Sequence, residues 1–319
     1  MRRWLKITIP VVLLAAGVIV CAVRWQAWFV MPDEPVWTGD TIQYAFPPFE
    51  QDQTPQSLDI LVLGDIHNQL TRADYDTLAL RVPQADVVIQ VGDWLERGQE
   101  YYRQLLLREW TNSGLYGLPV IACPGNHDYN KGIHNTLSPI WRDIFYPATQ
   151  TYHPAPNGMA GVNYYVDFPG LRLIVIDTNP LKHLVYMTRA LTWVQETMRS
   201  AGDRYIVALM HHPVLSTAKG RFNPGVYGTF RYALSQADLV IAGHDHNYMR
   251  RMPFVMLNTA GKAKQQRSSF SAEATYAEPV YGVLHLRNSS DPLIPHPLTL
   301  TVYRFSDGSV IDSVHVDHD

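Results

Sequence analysis

Val120-Ile121-Ala122-Cys123-Pro124-Gly125-Asn126-His127-Asp128 is the stretch from which the fold can be read. Its first four residues form a short apolar run closed by turn formers, the pattern of a buried strand. An amide, an imidazole and a carboxylate then follow on consecutive residues. One such ending is an ordinary turn, because Asn, His and Asp all favour turns. The same pattern recurs four more times. Residues 58–63 run into Gly64-Asp65-Ile66-His67, and residues 85–91 into Gly92-Asp93. Residues 205–210 run into His211-His212-Pro213, and residues 237–242 into Gly243-His244-Asp245-His246.

Amphipathic segments lie between these runs. Thr71 is placed to cap a helix reaching about residue 81. A second helix starts near Arg97, carries Tyr101, Leu105 and Leu106 on one face and stops at Gly114. Residues 187–199 and 227–235 read as further helices, the former with a stripe of Leu191, Val194 and Met198. A hairpin is expected over 163–168 and 171–176 around Pro169-Gly170. Antiparallel strands are expected at 280–286, 298–305 and 310–316, and residues 262–279 read as a flexible surface loop. Strands alternating with helices predict a layered α/β sheet whose ligand site lies beyond the carboxyl ends of the strands.

Composition narrows the function. The chain has 319 residues, 46% of them hydrophobic, and a net charge of −3. That is ample for a core, and it argues against a nucleic-acid partner, which would call for a basic excess. Cys21 and Cys123 fall in apolar segments, so no structural disulfide is expected.

The N-terminal segment has its own character. Residues 7–23 are a 17-residue apolar-type stretch preceded by Arg2, Arg3 and Lys6. A span needs roughly 17–25 residues. From Trp25 to Thr71 there is no Lys or Arg, which by the positive-inside rule predicts a cytoplasmic N-terminus and an extracytoplasmic domain. Trp25, Trp28 and Phe29 suit the outer interface. The alternative is a cleaved secretory signal, although no small-x-small cleavage site is visible. The expected organisation is a membrane anchor over residues 1–30, a Pro-rich stalk over 31–57 and a catalytic domain over 58–319, with the lipid bilayer as a partner through residues 7–23.

The chemistry of the strand ends is that of a metal site. Carboxylate, imidazole and amide oxygen without thiolate favour Fe, Mn, Zn or Co. Asp65, His67, Asp93, Asn126, His211, His244 and His246 exceed what one ion needs, which predicts two ions sharing a bridging carboxylate. Such pairs lie about 3.5–4 Å apart, generate hydroxide at neutral pH and stabilise phosphoryl transfer.

The series D-x-H, G-D, G-N-H-D, H and G-H-x-H, in this order, resembles the calcineurin-like metallophosphoesterase superfamily over roughly residues 58–260. Residues 163–167, the ending Ile176-Asp177-Thr178, Leu191-Thr192-Trp193 and the run 243–250 are similar to its purple-acid-phosphatase-like branch. The resemblance implies a four-layer α/β/β/α sandwich. It also implies Asp65, His67 and His246 on one metal, Asn126, His211 and His244 on the other, and Asp93 between them. It makes His127 the group that meets the phosphate or protonates the leaving oxygen, with Asp128 orienting it. His212 is not expected to ligate, and Arg250 is expected to be structural rather than phosphate-facing. Two positions depart from purple acid phosphatases proper: Glu96 stands where they carry a tyrosine ligand, and His67 where they carry Asp. No tyrosinate–iron charge transfer is therefore expected, and Mn, Fe and Zn all stay open as cofactors.

The expected activity is hydrolysis of a phosphoric ester outside the cytoplasm by metal-generated hydroxide, with monoesters favoured. The alternatives are a phosphodiesterase acting on a nucleotide or a lipid-linked envelope substrate, and a non-catalytic scaffold, which would lack some of the ligands. A nuclease of the same superfamily is disfavoured by the acidic balance and the outward location.

Overall fold

The computed structural model describes residues 57–130, 136–145, 152–156, 162–180, 183–264, 272–287 and 297–318. The expected anchor and stalk lie outside the described residues, save Ser57, and no helix among the described residues is long and apolar enough to cross a membrane.

In chain order the strands begin with β1 (Ser57–Leu63), β2 (Val87–Val91), β3 (Val120–Cys123), β4 (Tyr129–Asn130), β5 (Thr136–Leu137), β6 (Tyr152–Pro154), β7 (Tyr164–Phe168) and β8 (Leu171–Ile176). They continue with β9 (Tyr205–Met210), β10 (Leu239–Ala242), β11 (Tyr248–Arg251), β12 (Phe254–Met256), β13 (Ala274–Tyr276), β14 (Val280–Arg287), β15 (Leu298–Arg304) and β16 (Val310–Val316). The helices are α1 (Arg72–Arg81), α2 (Glu100–Trp110), α3 (Pro139–Phe145), α4 (Leu184–Arg199) and α5 (Pro224–Leu234).

Two sheets face each other. The first has the order β16-β15-β14-β1-β2-β3 and the second β13-β11-β12-β10-β9-β8-β7-β6. The period of two along each strand decides what fills each layer. In β1, Leu58, Ile60 and Val62 point into the space between the sheets, while Leu61 and Leu63 point outward beneath α1 to α3. In β10, Leu239 and Ile241 face inward, while Val240 and Ala242 meet α4 and α5. Strands buried on both faces read as continuous apolar runs, which is why these were visible in the sequence. The result is the expected α/β/β/α sandwich.

Local signals explain the element ends. Thr71 and Asp74 form a reciprocal capping box at the start of α1, with Thr71 N–H donating to Asp74 Oδ2 at 2.8 Å. Asn223 caps α5 by accepting the N–H groups of Gly225 and Val226, with Pro224 opening the helix.

Four expectations are corrected. Helix α2 starts three residues later than Arg97 and ends at Trp110, and Gly114 sits in the following turn, bonded to Asp76 Oδ1 rather than stopping the helix. Its buried residues, Leu106 and Trp110, lie four apart on one face of the helix, and Tyr101, off that face, is exposed. Part of the 262–279 segment is strand β13, which pairs with β11. Strands β11 and β12 were not anticipated, being only four and three residues long; they extend the second sheet beyond β10.

Candidate metal centre

Every predicted ligand lies just past a strand end. Asp65 and His67 follow β1, Asp93 follows β2 and Asn126 follows β3, all in the first sheet. His211 follows β9, and His244 and His246 follow β10, in the second. The site straddles the seam of the sandwich.

The backbone is unusual there. Asp65, His67, Asp93, His244 and His246 have φ between 51° and 72°, in the left-handed region that costs a non-glycine residue roughly 1–2 kcal/mol. Five such residues converging on one buried spot mark a geometry held for function. Neighbouring chain secures it: Asp65 N–H donates to Gly92 O at 3.1 Å and His67 N–H to Asp93 O at 2.8 Å. Gly125 has no left-handed φ, and its role is close approach. A Cβ at 125 would lie 2.1 Å from Asp93 Oδ1 and 2.2 Å from Asp93 N.

The side chains gather into two sets joined by one carboxylate. In the first set, His67 Nε2 lies 3.2 Å from His246 Nε2, and His246 Nε2 lies 3.6 Å from Asp65 Oδ1. In the second, His211 Nε2 lies 3.2 Å from both Asn126 Oδ1 and His244 Nδ1. Asp93 Oδ2 stands between them, 3.7 Å from His67 Nε2 and 3.3 Å from His211 Nε2. Donors that each sit about 2.1 Å from a shared ion are roughly 3–3.5 Å apart, so these separations fit metal ligation.

Buried groups without partners point the same way. Asp65 Oδ2 and Asp93 Oδ2 are buried carboxylate oxygens that accept no hydrogen bond. An unsatisfied buried carboxylate is costly unless a cation answers it. Burial, followed by the neighbouring charge of His67, lowers His246 to about 3, and burial also lowers His67 and His244. These imidazoles therefore stay neutral, with a ring nitrogen free to ligate. Burial raises Asp65 to about 8. For Asp93 and His211 burial is outweighed by their mutual attraction, which holds the Asp93 carboxyl below the usual range and lifts His211 to about 9. Two cations would answer the unpartnered Asp65 and Asp93 oxygens, and the donor separations fit two ions with Asp93 as the shared ligand.

His127 sits at the rim, half-buried. Its backbone N–H donates to Asp93 Oδ1 at 2.7 Å, and Nδ1 donates to Glu96 O, also at 2.7 Å. Asp128 has another job than the one expected. It is fully buried and accepts the backbone N–H groups of Asp93 and Gly125 at 3.0 and 2.8 Å, tying the β2 and β3 loops together. Orientation of His127 falls to the Glu96 carbonyl. The Glu96 carboxylate lies 3.0 Å from His67 Nδ1, and with His67 and His127 it forms a further group that could hold an ion.

His212 stays close: with His211 and His244 it could also hold an ion, and its ring lies 4.4 Å from that of His244. Its Nδ1 is engaged by Thr178 Oγ1 at 2.9 Å. Arg250 is structural, paired with Asp312 at 2.8 Å and with Glu273.

Sequence reasoning missed Arg221. Its Nη1 lies 3.2 Å from Nδ1 and 3.1 Å from Nε2 of His244, over the ring, and it has no carboxylate within ion-pair distance among the described residues. Its loop is fastened by Asp245, the residue between His244 and His246, which accepts from Ser216 Oγ at 2.8 Å and from the N–H groups of Thr217 and Ala218. No local motif announces such a residue, since its relation to His244 exists only in three dimensions.

Residues 58–248 match the calcineurin-like phosphoesterase family, and the chain belongs to it. It is 25% identical over 174 residues to the glycerophosphodiester phosphodiesterase GpdQ of Enterobacter lignolyticus (strain SCF1), a match covering 51% of this chain and 56% of that protein. Its fold is similar to that of purple acid phosphatase PPD1 from yellow lupin (Lupinus luteus) seeds, with a TM-score of 0.65 at 13% identity over 84% of this chain and 55% of that one. GAP50, the anchor in the inner membrane complex of Plasmodium, gives a TM-score of 0.57 at 13% identity, covering 83% of this chain and 90% of that one. These two structures share the fold. The chain spans little more than half the length of the curated relative and of the lupin enzyme.

Proposed function

We propose that this chain is a phosphoric ester hydrolase that works with two bound metal ions and prefers monoesters. The observation that carries the reading is the single oxygen, Asp93 Oδ2, standing within 3.7 Å of one ligand set and 3.3 Å of the other. Asp65, His67 and His246 would hold one ion, Asn126, His211 and His244 the second, and Asp93 both. Their identity among Mn, Fe and Zn is left open by a donor set of carboxylate, imidazole and amide oxygen. The chemistry supplied by two bound ions is Lewis acidity, which activates water and offsets charge on the phosphoryl oxygens.

The remaining residues do the positioning and the proton transfer. His127 Nδ1–H is committed to a carbonyl, which can only accept, so Nε2 is the atom that can pass a proton to the leaving oxygen. Arg221 offers a guanidinium with no carboxylate partner among the described residues, beside His244 and suited to an oxygen of a substrate phosphate. A monoester dianion carries one more negative charge than a diester, and Arg221 favours the dianion. A scaffold without catalysis would tolerate lost ligands, whereas all seven are present and convergent.

The second reading is a phosphodiesterase, favoured by the likeness to a glycerophosphodiester phosphodiesterase. Metal-dependent turnover of p-nitrophenyl phosphate and bis-p-nitrophenyl phosphate with Mn, Zn, Fe and Co separates the two. Faster monoester hydrolysis supports the first, and absence of metal-dependent turnover on either contradicts both.

We also propose a single-pass anchor at residues 7–23 with the domain, from residue 58 on, outside the cytoplasm. Arg2, Arg3 and Lys6 before the apolar stretch, and the lack of Lys and Arg from 25 to 71, support it. A C-terminal alkaline-phosphatase fusion should be active; an inactive one reverses the topology.

A further inference from the structure

A sixth strand end also reaches the site. Strand β8 runs parallel to β9, with Ile176 beside Met210, so Asp177-Thr178-Asn179 emerges next to His211. All three residues are buried polar groups, with Asp177 and Thr178 at 0% exposure. They are too well hidden for a surface turn, and their hydrogen bonds show what they hold.

Asn179 Nδ2 donates to Pro124 O at 2.9 Å, and Asp177 Oδ2 accepts the Tyr129 hydroxyl. The loop bearing Asn126 is thus fastened at both ends, Pro124 and Tyr129, to one turn of the opposite sheet. Asp177 Oδ1 accepts Asn179 N–H at 2.9 Å and Nδ2 at 2.8 Å, which locks the two fasteners to each other. Thr178 Oγ1 accepts His212 N–H at 3.1 Å and engages Nδ1 of the same residue at 2.9 Å, fixing the peptide that follows His211. The turn is itself anchored from behind, where Asp177 N–H donates to Asn163 Oδ1 at 3.0 Å and the Tyr186 hydroxyl to Asp177 O at 3.2 Å.

Asn126 comes from the first sheet and His211 from the second, so their 3.2 Å contact spans the seam of the sandwich. We propose that Asp177-Thr178-Asn179 is a cross-brace of positioning residues that sets the Asn126–His211 separation and thereby the affinity of the second metal ion alone. The inference rests on the two-ion reading above. The first set has other supports: His246 Nδ1 meets Lys262 O at 3.0 Å, Asn258 Nδ2 donates to His246 O at 3.1 Å, and Gly64 N–H donates to Thr259 Oγ1 at 3.0 Å. None of these involves the brace.

The test compares full-length wild type with Thr178→Val, which keeps the side-chain shape and removes the hydroxyl, and Asn179→Ala, which cuts the tie to Pro124. Metal-free proteins are titrated with Mn(II) by calorimetry and followed by electron paramagnetic resonance, which distinguishes a spin-coupled pair from an isolated ion. Partners that orient metal ligands are worth roughly 10–100-fold in affinity. Each variant should therefore bind its second ion at least about tenfold more weakly, keep first-ion affinity within about twofold and show the isolated-ion spectrum at one equivalent and above. Loss of both ions in equal measure, or wild-type affinity at both, overturns the brace. Wild-type protein that takes up only one ion overturns the brace and the two-ion reading together. Because Thr178→Val is nearly isosteric, circular dichroism of that variant separates a lost ion from a lost fold.

Discussion

At the scale of single residues the site is governed by what burial does to charge. Asp177, at the strand end beside His211, shows this without being a ligand itself. Burial raises its carboxyl from the ordinary 3.8 to about 6, against the pull of the Tyr129 hydroxyl. A carboxyl whose pKa is higher folded than unfolded binds its proton more tightly in the native state. Its contribution to stability is therefore complete below pH about 4 and is lost as the pH rises to about 6, a change of about 3 kcal/mol at about 1.4 kcal/mol per pK unit. Asp177→Asn should remove this slope, so its melting temperature relative to wild type rises between pH 4 and 6 and is level above; parallel curves would refute the assignment. Arg221→Gln tests the anion-reading role: kcat/KM for p-nitrophenyl phosphate should fall roughly 10–100-fold, as for loss of a charged hydrogen bond, while that for bis-p-nitrophenyl phosphate changes little. Equal losses on both substrates would make Arg221 a general support of His244. Neither role could be read from the sequence. Asp177 meets Asn163 and Tyr129, 14 and 48 positions away, and Arg221 lies 23 positions from the histidine it covers.

At the scale of elements, strands and caps were legible because their causes are local. β3 and β9 lie where their apolar runs placed them, and α1 begins where Thr71 and Asp74 cap it. That helix covers the outer face of the first sheet, and its capping bonds are exposed. Thr71→Ala should cost about 1 kcal/mol in denaturant unfolding and leave kcat unchanged; a loss of activity would imply coupling between the outer helices and the site. Strands β11 to β13 were hidden because runs of three or four residues are too short to show a period. Helix α2 ends before Gly114, at Trp110, whose ring packs edge-on against Trp94 and Tyr75.

At the scale of the whole molecule, the ligand residues were legible as types at strand ends, and the convergence was not, since it depends on how two sheets face each other. Asp65, His67, Asp93 and Asn126 come from one sheet, and His211, His244 and His246 from the other. Each proposed ion therefore joins both halves of the sandwich, and ion binding should add to the stability of the whole domain. Asp93 is proposed to be shared between two ions that carry out ester hydrolysis. The most direct measurement is metal content and p-nitrophenyl phosphate turnover of wild type and Asp93→Asn side by side, after chelation and reloading. The account predicts about two ions per chain in wild type, abolished turnover on chelation with recovery on reloading, and in Asp93→Asn fewer bound ions with turnover down by more than about a hundredfold. One ion or none in wild type, or full activity in Asp93→Asn, would contradict it.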